Sequence, residues 1–99
     1  MTLPQLQAAV KEMCALNCWD NDSVEQKFLL FAEEVGELAK AIRHRKGLYN
    51  EEGKPKYELA EEFADVQSYL ANLANMLNVD LEQAIIEKDK VNQKREWKV

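Results

Sequence analysis

Apolar side chains recur every three or four positions along two long stretches of the chain. The two stripes are Val24, Phe28, Phe31, Val35, Leu38 and Ile42, and then Leu59, Phe63, Val66, Leu70, Leu73 and Leu77. This spacing is that of one face of an α-helix, which makes a turn about every 3.6 residues. The pattern predicts two amphipathic helices whose stripes pack together as a helix–helix core.

Capping residues divide the whole chain into four predicted helices. Thr2 with Gln5 and Ser23 with Gln26 form capping boxes that begin the first two helices, and Asp80 begins the fourth. The predicted spans are about 2–17, 23–46, 56–77 and 80–95.

The connections between these helices predict the architecture. Residues 47–55 contain two Gly and one Pro and form the one predicted flexible loop. The connections at 18–22 and 78–80 are short, so the helices they join run antiparallel. The sequence therefore predicts an all-α, antiparallel four-helix bundle in which residues 1–99 form a single domain.

The composition of the chain argues against nucleic-acid polymers and membranes as binding partners. The net charge of −5 disfavours DNA or RNA, because a phosphate backbone binds basic surfaces. No apolar run approaches the roughly 20 residues that a membrane span needs, and the N-terminus lacks the features of a signal peptide. Cys14 and Cys18 make no zinc set with the single histidine, His44, and are expected to be reduced core thiols. We expect a cytoplasmic protein that binds neither a nucleic-acid polymer nor a membrane.

Two acidic pairs flank the apolar stripes. Glu34 with Glu37, and Glu62 with Asp65, each have i,i+3 spacing and lie at nearly the same angle from the stripe of their own helix. If the axial register agrees, all four carboxylates point into one space, where two unit charges about 5 Å apart repel by roughly 3 kcal/mol. A divalent cation relieves such repulsion, and an all-oxygen set suits Mg²⁺ or Mn²⁺ rather than zinc.

The alternative is a solvated acidic face. In that interpretation the same carboxylates form ordinary ion pairs with Lys40, Arg43 or Lys56. Residue spacing alone leaves both interpretations open, because it fixes the angle of a side chain around its helix but not the register between helices.

The last helix carries cations where an amphipathic helix carries apolar residues. The face that begins with Leu81 and Ile85 continues as Lys88, Asn92 and Arg95. These residues are either an exposed, frayed helix end or a grip for phosphate, in which Arg95 bonds bidentately and Lys88 acts as a point charge.

Three segments in order resemble the MazG-like all-α nucleoside triphosphate pyrophosphohydrolases. The run Glu33-Glu34-Val35-Gly36-Glu37, followed after 24 residues by Glu62-Phe63-Ala64-Asp65, is similar to the family's Glu-Glu-x-x-Glu and Glu-x-x-Asp motifs. The ending from Lys88 to Arg95 is similar to its Lys-x-x-x-Asn-x-x-Arg tail. The resemblance covers about residues 23–97.

The resemblance implies an activity and a set of site residues. It implies that Glu34, Glu37, Glu62 and Asp65 bind Mg²⁺, that Glu33 assists them or helps to activate water, and that Lys88, Asn92 and Arg95 hold the substrate. Water activated by the metal would attack the α-phosphorus of a nucleotide and release a monophosphate and pyrophosphate. A homodimer or homotetramer and a house-cleaning role in the nucleotide pool are also implied.

Several further residues are candidates for contact with substrate. Tyr69 lies one turn after Asp65 on the ligand face and is expected near the substrate, and Gly36 suggests a close approach between helices. Trp19 and Trp97 either stack on a base or pack at an interface. The rival hypotheses are a non-catalytic helical module that binds a nucleotide or a protein, and a phosphoribosyl-ATP pyrophosphohydrolase, which the tail fits less well.

Overall fold

Four helices, α1 (Leu3–Leu16), α2 (Val24–Arg45), α3 (Leu59–Met76) and α4 (Leu81–Gln93), make up the computed structural model. The structure describes residues 1–49 and 58–95, and within these ranges every regular element is an α-helix. Among these helices, none combines the length and the hydropathy that crossing a bilayer requires. The predicted all-α class is confirmed, whereas most of the predicted loop at 47–55 and the predicted start of the third helix near residue 56 lie outside the described residues.

Three of the four predicted helix starts are confirmed by their caps. The Thr2 hydroxyl accepts a hydrogen bond from the Gln5 backbone N–H at 3.3 Å, and the Gln5 side chain accepts one from the Thr2 N–H at 2.8 Å. Ser23 and Gln26 form the same reciprocal pair at the start of α2, and Asp80 caps α4. These bonds satisfy N–H groups that have no partner within their own helix.

The core lies where α1 crosses α3. Val10 and Cys14 of α1 are buried against Ala71 of α3, which has no exposed surface, and Leu6 and Leu81 pack around them. α2 packs along α3, while α4 contacts α1. α3 is therefore the central helix, and it sets the position of α2.

The prediction that the two apolar stripes form the helix–helix core is right for half of their residues and wrong for the other half. Leu73 is buried and five further members are partly buried. Six of their members remain 39–57% exposed: Phe28, Val35, Ile42, Phe63, Leu70 and Leu77, which we call the stripe face. The radius of gyration is 16.6 Å, whereas a compact chain of 100 residues has about 13 Å. The single chain thus leaves an extended apolar surface on α2 and α3, of the kind that marks an interaction site.

The cysteine prediction was right for one thiol and wrong for the other. Both cysteines are free, with Cys14 buried and Cys18 exposed. Cys18 lies past the end of α1 at φ 57°, and the Trp19 N–H donates to the Cys14 carbonyl at 2.8 Å. The chain has therefore turned away from the core before it reaches the second thiol.

Gln7 joins three helices at one point. Its amide donates to Asn75 Oδ1 at 3.0 Å and to the Val79 carbonyl at 2.8 Å, and its Oε1 accepts from the Leu81 N–H at 3.0 Å. Asn75 returns a hydrogen bond to the Gln7 carbonyl at 2.9 Å. One side chain of α1 therefore fixes both the end of α3 and the beginning of α4.

Replacement of this side chain should destabilise the protein. We expect Gln7→Ala to lower the free energy of unfolding by about 1–3 kcal/mol, because three side-chain hydrogen bonds are lost in a partly buried position. Thermal unfolding followed by circular dichroism measures the change. Gln67→Ala, at an exposed position in α3, is the matched control, and an equal effect of both substitutions would contradict the role of Gln7.

Candidate active site

The packing of α2 along α3 brings three of the predicted acidic residues together. Glu34 of α2 and Glu62 and Asp65 of α3 each offer a carboxylate oxygen, and these oxygens all lie within 4.8 Å of one another. Glu34 and Glu62 are partly buried, while Asp65 is exposed. The axial register, which residue spacing left open, thus places both helices' acids at one site that could hold a metal ion.

Glu37 and Glu33 lie beside this three-carboxylate cluster. Glu37 Oε1 is 3.4 Å from Lys40 Nζ, so the predicted alternative of an ordinary ion pair is observed for this residue. Its charge still acts on Glu34 and Glu62, and that of Glu33 acts on Glu34. Glu33 itself is exposed.

The cluster is electrostatically strained without a cation. Loss of hydration, then the negative charges of Asp65, Glu62, Glu37 and Glu33, raise the pKa of Glu34 above its ordinary value. Loss of hydration, then Asp65, Glu37 and Glu61, raise the pKa of Glu62. Within residues 1–49 and 58–95, no lysine or arginine forms an ion pair with Glu34, Glu62 or Asp65. A bound divalent cation would offset the repulsion between these carboxylates, which is the second cause of both shifts after lost hydration.

These shifts predict how stability depends on pH and on Mg²⁺. The raised pKa values of Glu34 and Glu62 mean that the folded chain holds more protons than the unfolded chain, from about pH 4.3 up to the raised values. The contribution of these two groups to stability therefore falls as pH rises through that window. Mg²⁺ should raise Tm by several degrees near neutral pH, and progressively less on acidification, because protons compete for the same oxygens.

The measurement is thermal unfolding with and without MgCl₂ at a series of pH values. KCl at matched ionic strength is the control, since it screens the repulsion without binding at the site. An equal rise in Tm with KCl, or a Mg²⁺ effect that does not weaken with acidification, would contradict the prediction.

A cleft of about 570 Å³ extends from the carboxylates. This volume is within the range of about 300–1,000 Å³ that small-molecule sites occupy. Tyr69 lines the cleft together with Glu34 and Asp65, and Trp19 also borders it. The remaining lining residues are Val10, Met13, Cys14, Asp22, Lys27, Leu30, Ser68 and Asn72.

The cleft also contains an ion pair that sequence reasoning missed. Lys27 Nζ lies 3.0 Å from Asp22 Oδ2 and donates to the Trp19 carbonyl at 3.2 Å. Lys27 precedes Glu34 by seven residues, or two helical turns, so both side chains share one face of α2. The seven-residue spacing from Glu34 could have indicated that Lys27 lies in the same cleft. It was overlooked because a lysine on a helix normally lies in solvent.

The predicted phosphate-binding residues of α4 do not border this cleft. The lining residues that the structure describes come from α1, α2, α3 and the α1–α2 connection. α4 ends at Gln93, two residues before the predicted end, and Arg95 lies beyond it. The predicted inner face of α4 is also wrong for the single chain beyond Leu81, since Ile85 is 56% exposed.

The expectation for Gly36 was wrong as well. Gly36 is exposed, and a Cβ atom built on it meets no other atom within 4 Å. Close approach of α3 therefore does not require glycine at this position in the single chain.

Carboxylates from two packed helices beside a small-molecule cleft define a helical protein with a site that could hold a metal ion and a ligand. The chain belongs to the MazG family: the model of the MazG nucleotide pyrophosphohydrolase domain matches residues 23–97. Two crystal structures of iMazG from Vibrio DAT 722 are similar to it. The Ntag form has 32% identity and a TM-score of 0.72 over 99% of this chain and 100% of that one. The Ctag form has 35% identity and a TM-score of 0.68 over 94% and 99%.

These similarities decide between an enzyme and a binding module. None of the curated proteins compared gives a match, but the family model and the iMazG structures agree in fold and in class. The protein is an enzyme of the nucleotide pyrophosphohydrolase class, which acts on small-molecule nucleotides. The hypothesis of a non-catalytic helical module is not supported.

Proposed function

We propose that the protein hydrolyses ribo- and deoxyribonucleoside triphosphates to monophosphate and pyrophosphate, with Mg²⁺ as the preferred ion and Mn²⁺ as a substitute. The observation that carries this proposal is the group of carboxylate oxygens from Glu34, Glu62 and Asp65 within 4.8 Å at the edge of the cleft. We further propose that residues 1–99 act as one domain. The proposed role is house-cleaning of the nucleotide pool in the cytoplasm, where both cysteines stay reduced.

The donor set fits a hard divalent cation. Its members are carboxylates alone, and the raised pKa values of Glu34 and Glu62 indicate a need for positive charge. In this proposal Glu37 is the fourth metal ligand, and its carboxylate leaves the ion pair with Lys40 to bind the metal ion. A bound Mg²⁺ would neutralise the polyphosphate and activate the water that attacks the α-phosphorus in line.

The other residues orient the substrate around this centre. The apolar and aromatic side chains of the cleft exclude water from the nucleoside, with Tyr69 close to Asp65 and Trp19 at the border of the cleft. Glu33, exposed beside Glu34, supports a ligand or accepts a proton from the attacking water. No covalent nucleophile enters this scheme.

Lys88, Asn92 and Arg95 are proposed to hold the phosphates in an assembly of chains. An acidic cluster that binds a triphosphate needs cations in addition to the metal; Lys88 and Arg95 supply them, and Asn92 adds an amide donor. Within the single chain α4 contacts α1 and contributes none of the described residues that line the cleft. We therefore propose a homodimer or homotetramer, formed through the stripe face, in which these side chains reach the substrate.

Incubation with Mg²⁺ and a panel of nucleoside triphosphates tests the function. The expected result is release of monophosphate and pyrophosphate, separated by ion-exchange chromatography, and loss of the activity when EDTA is added. Orthophosphate as the first product would show that a different bond is cut, and nucleotide binding without turnover would contradict the proposed reaction. Phosphoribosyl-ATP as the sole substrate in the panel would reassign the substrate.

A further inference from the structure

Lys27 is the buried charged residue among those that the structure describes. Its side chain is 5% exposed, and burial of an ammonium group is costly unless it is paired and hydrogen-bonded. It also lies in the first turn of α2, where the positive end of the helix dipole disfavours a cation. Burial and the helix dipole both disfavour a cation at this position. Lys27 is therefore not an ordinary solvated lysine on a helix surface, and its contacts explain its position.

The contacts of Lys27 fasten the α1–α2 connection to α2. The ammonium group binds the carboxylate of Asp22 and the carbonyl oxygen of Trp19, so it contacts this short segment near both ends. Trp19, Asp22 and Lys27 all border the cleft. The ion pair therefore holds one wall of the cleft in place from within.

Along α2, this wall lies at the start of the helix, and Glu34 lines the same cleft two turns further on. Lys27 is seven residues before Glu34, which is about 10 Å along the axis of α2. A phosphate bound near Glu34 would leave the sugar and base to extend towards Lys27 and Trp19. A side chain that fixes this wall affects the affinity for the nucleoside more than the chemistry at phosphorus.

We propose that Lys27 is a positioning residue, which holds the Trp19–Asp22 segment as the nucleoside-facing wall of the cleft. The inference rests on the proposed triphosphate pyrophosphohydrolase activity. The two ends of the cleft then have different roles. The carboxylates carry out catalysis, and the Lys27–Asp22 pair positions the wall that contacts the nucleoside. Loss of the pair removes binding that is equal in the ground state and the transition state, which raises KM and leaves kcat unchanged.

Steady-state kinetics on Lys27→Met tests the proposal, with pyrophosphate release from the best nucleotide as the readout. We expect KM to rise about tenfold or more while kcat stays within about threefold of wild type. Lys90→Met is the matched control, since Lys90 forms an exposed i,i+3 ion pair with Glu87 at 3.4 Å, and both its constants should stay unchanged. Asp22→Asn should raise KM by a smaller factor, because its amide oxygen can still accept from Lys27; this variant carries the test if Lys27→Met does not fold.

The outcomes separate this inference from the function on which it rests. An unchanged KM, or a loss confined to kcat, in a folded Lys27→Met protein would overturn the positioning role. If wild type releases no pyrophosphate from any nucleotide, the proposed function fails, but acrylamide quenching of Trp19 in a Trp97→Phe background still tests the role of Lys27. Greater quenching after Lys27→Met would show that Trp19 has become more accessible, which supports the positioning role of Lys27. Unchanged quenching would overturn that role.

Discussion

Neutralisation of any one of Glu34, Glu62 or Asp65 should lower kcat for pyrophosphate release at least a hundredfold. The estimate follows from the loss of roughly 10²–10³ in rate when one preorganised group that stabilises the transition state is removed. Glu34→Gln, Glu62→Gln and Asp65→Asn each retain the size of the side chain but remove the negative charge and one of the two oxygens of a carboxylate in the cluster. The measurement is pyrophosphate release at saturating nucleotide over a range of Mg²⁺ concentrations.

The structure offers a close control for this substitution. Glu61→Gln makes the same chemical change on the same helix, next to Glu62, at an exposed position outside the three-carboxylate cluster. It should leave kcat within about twofold of wild type, since Glu61 is exposed and its charge is the weakest of those that raise the pKa of Glu62. Equal losses in Glu61→Gln and Glu62→Gln, or near-normal activity of Glu34→Gln, would refute the assignment of the cluster.

Stability should change in the opposite direction to activity. Glu34→Gln removes a carboxylate whose pKa is raised by lost hydration and by neighbouring charge, so the metal-free variant should unfold at the same or a higher temperature than wild type. It should also lose most of the stabilisation by Mg²⁺. This pairing of higher stability with lower activity distinguishes loss of a ligand from loss of the fold.

Glu37→Gln should have a smaller effect than the other three acidic variants. Glu37 lies outside the group that converges within 4.8 Å, and its Oε1 is 3.4 Å from Lys40 Nζ. Its charge nonetheless raises the pKa of Glu34 and of Glu62. We therefore expect a weaker dependence on Mg²⁺ with a kcat between those of Glu34→Gln and wild type.

The sequence could predict those features that depend on neighbours along the chain. Helix starts at Thr2, Ser23 and Asp80 follow from local hydrogen bonds, and these were confirmed. The angular match of Glu34 with Glu62 and Asp65 was also readable, since it needs only 3.6 residues per turn. Whether the acids meet depends on the axial register between α2 and α3. Packing around Ala71 and along α3 determines this register, so it cannot be predicted from neighbours along the chain.

The errors share a different physical cause. Periodicity identifies an apolar face but does not say whether the same chain or another molecule covers it, and this is why the stripe face was taken for the core. Lys27 was missed for the converse reason. The hydrophobic pattern treats a lysine as solvated, whereas its partners Asp22 and Trp19 come from a turn whose path depends on the positive φ of Cys18.

A charge on the stripe face should dissociate the proposed assembly into monomers. Phe28 is 55% exposed and borders an apolar groove with Val24, Leu29 and Leu77. Phe28→Glu would place a carboxylate where a second copy packs, and an unpaired buried charge is too costly for an interface to tolerate. We expect light scattering after gel filtration to give the monomer mass of 11.4 kDa, with helix content unchanged by circular dichroism.

The same variant should lose at least tenfold in kcat/KM, because Lys88, Asn92 and Arg95 are proposed to reach the phosphates when chains assemble. Leu16→Glu is the control: Leu16 is 76% exposed at the end of α1, away from the stripe face. This control should keep both the assembly and the activity. A wild-type protein that is monomeric and active would refute the assembly outright. A monomeric Phe28→Glu protein with full activity would instead show that the site is complete within one chain.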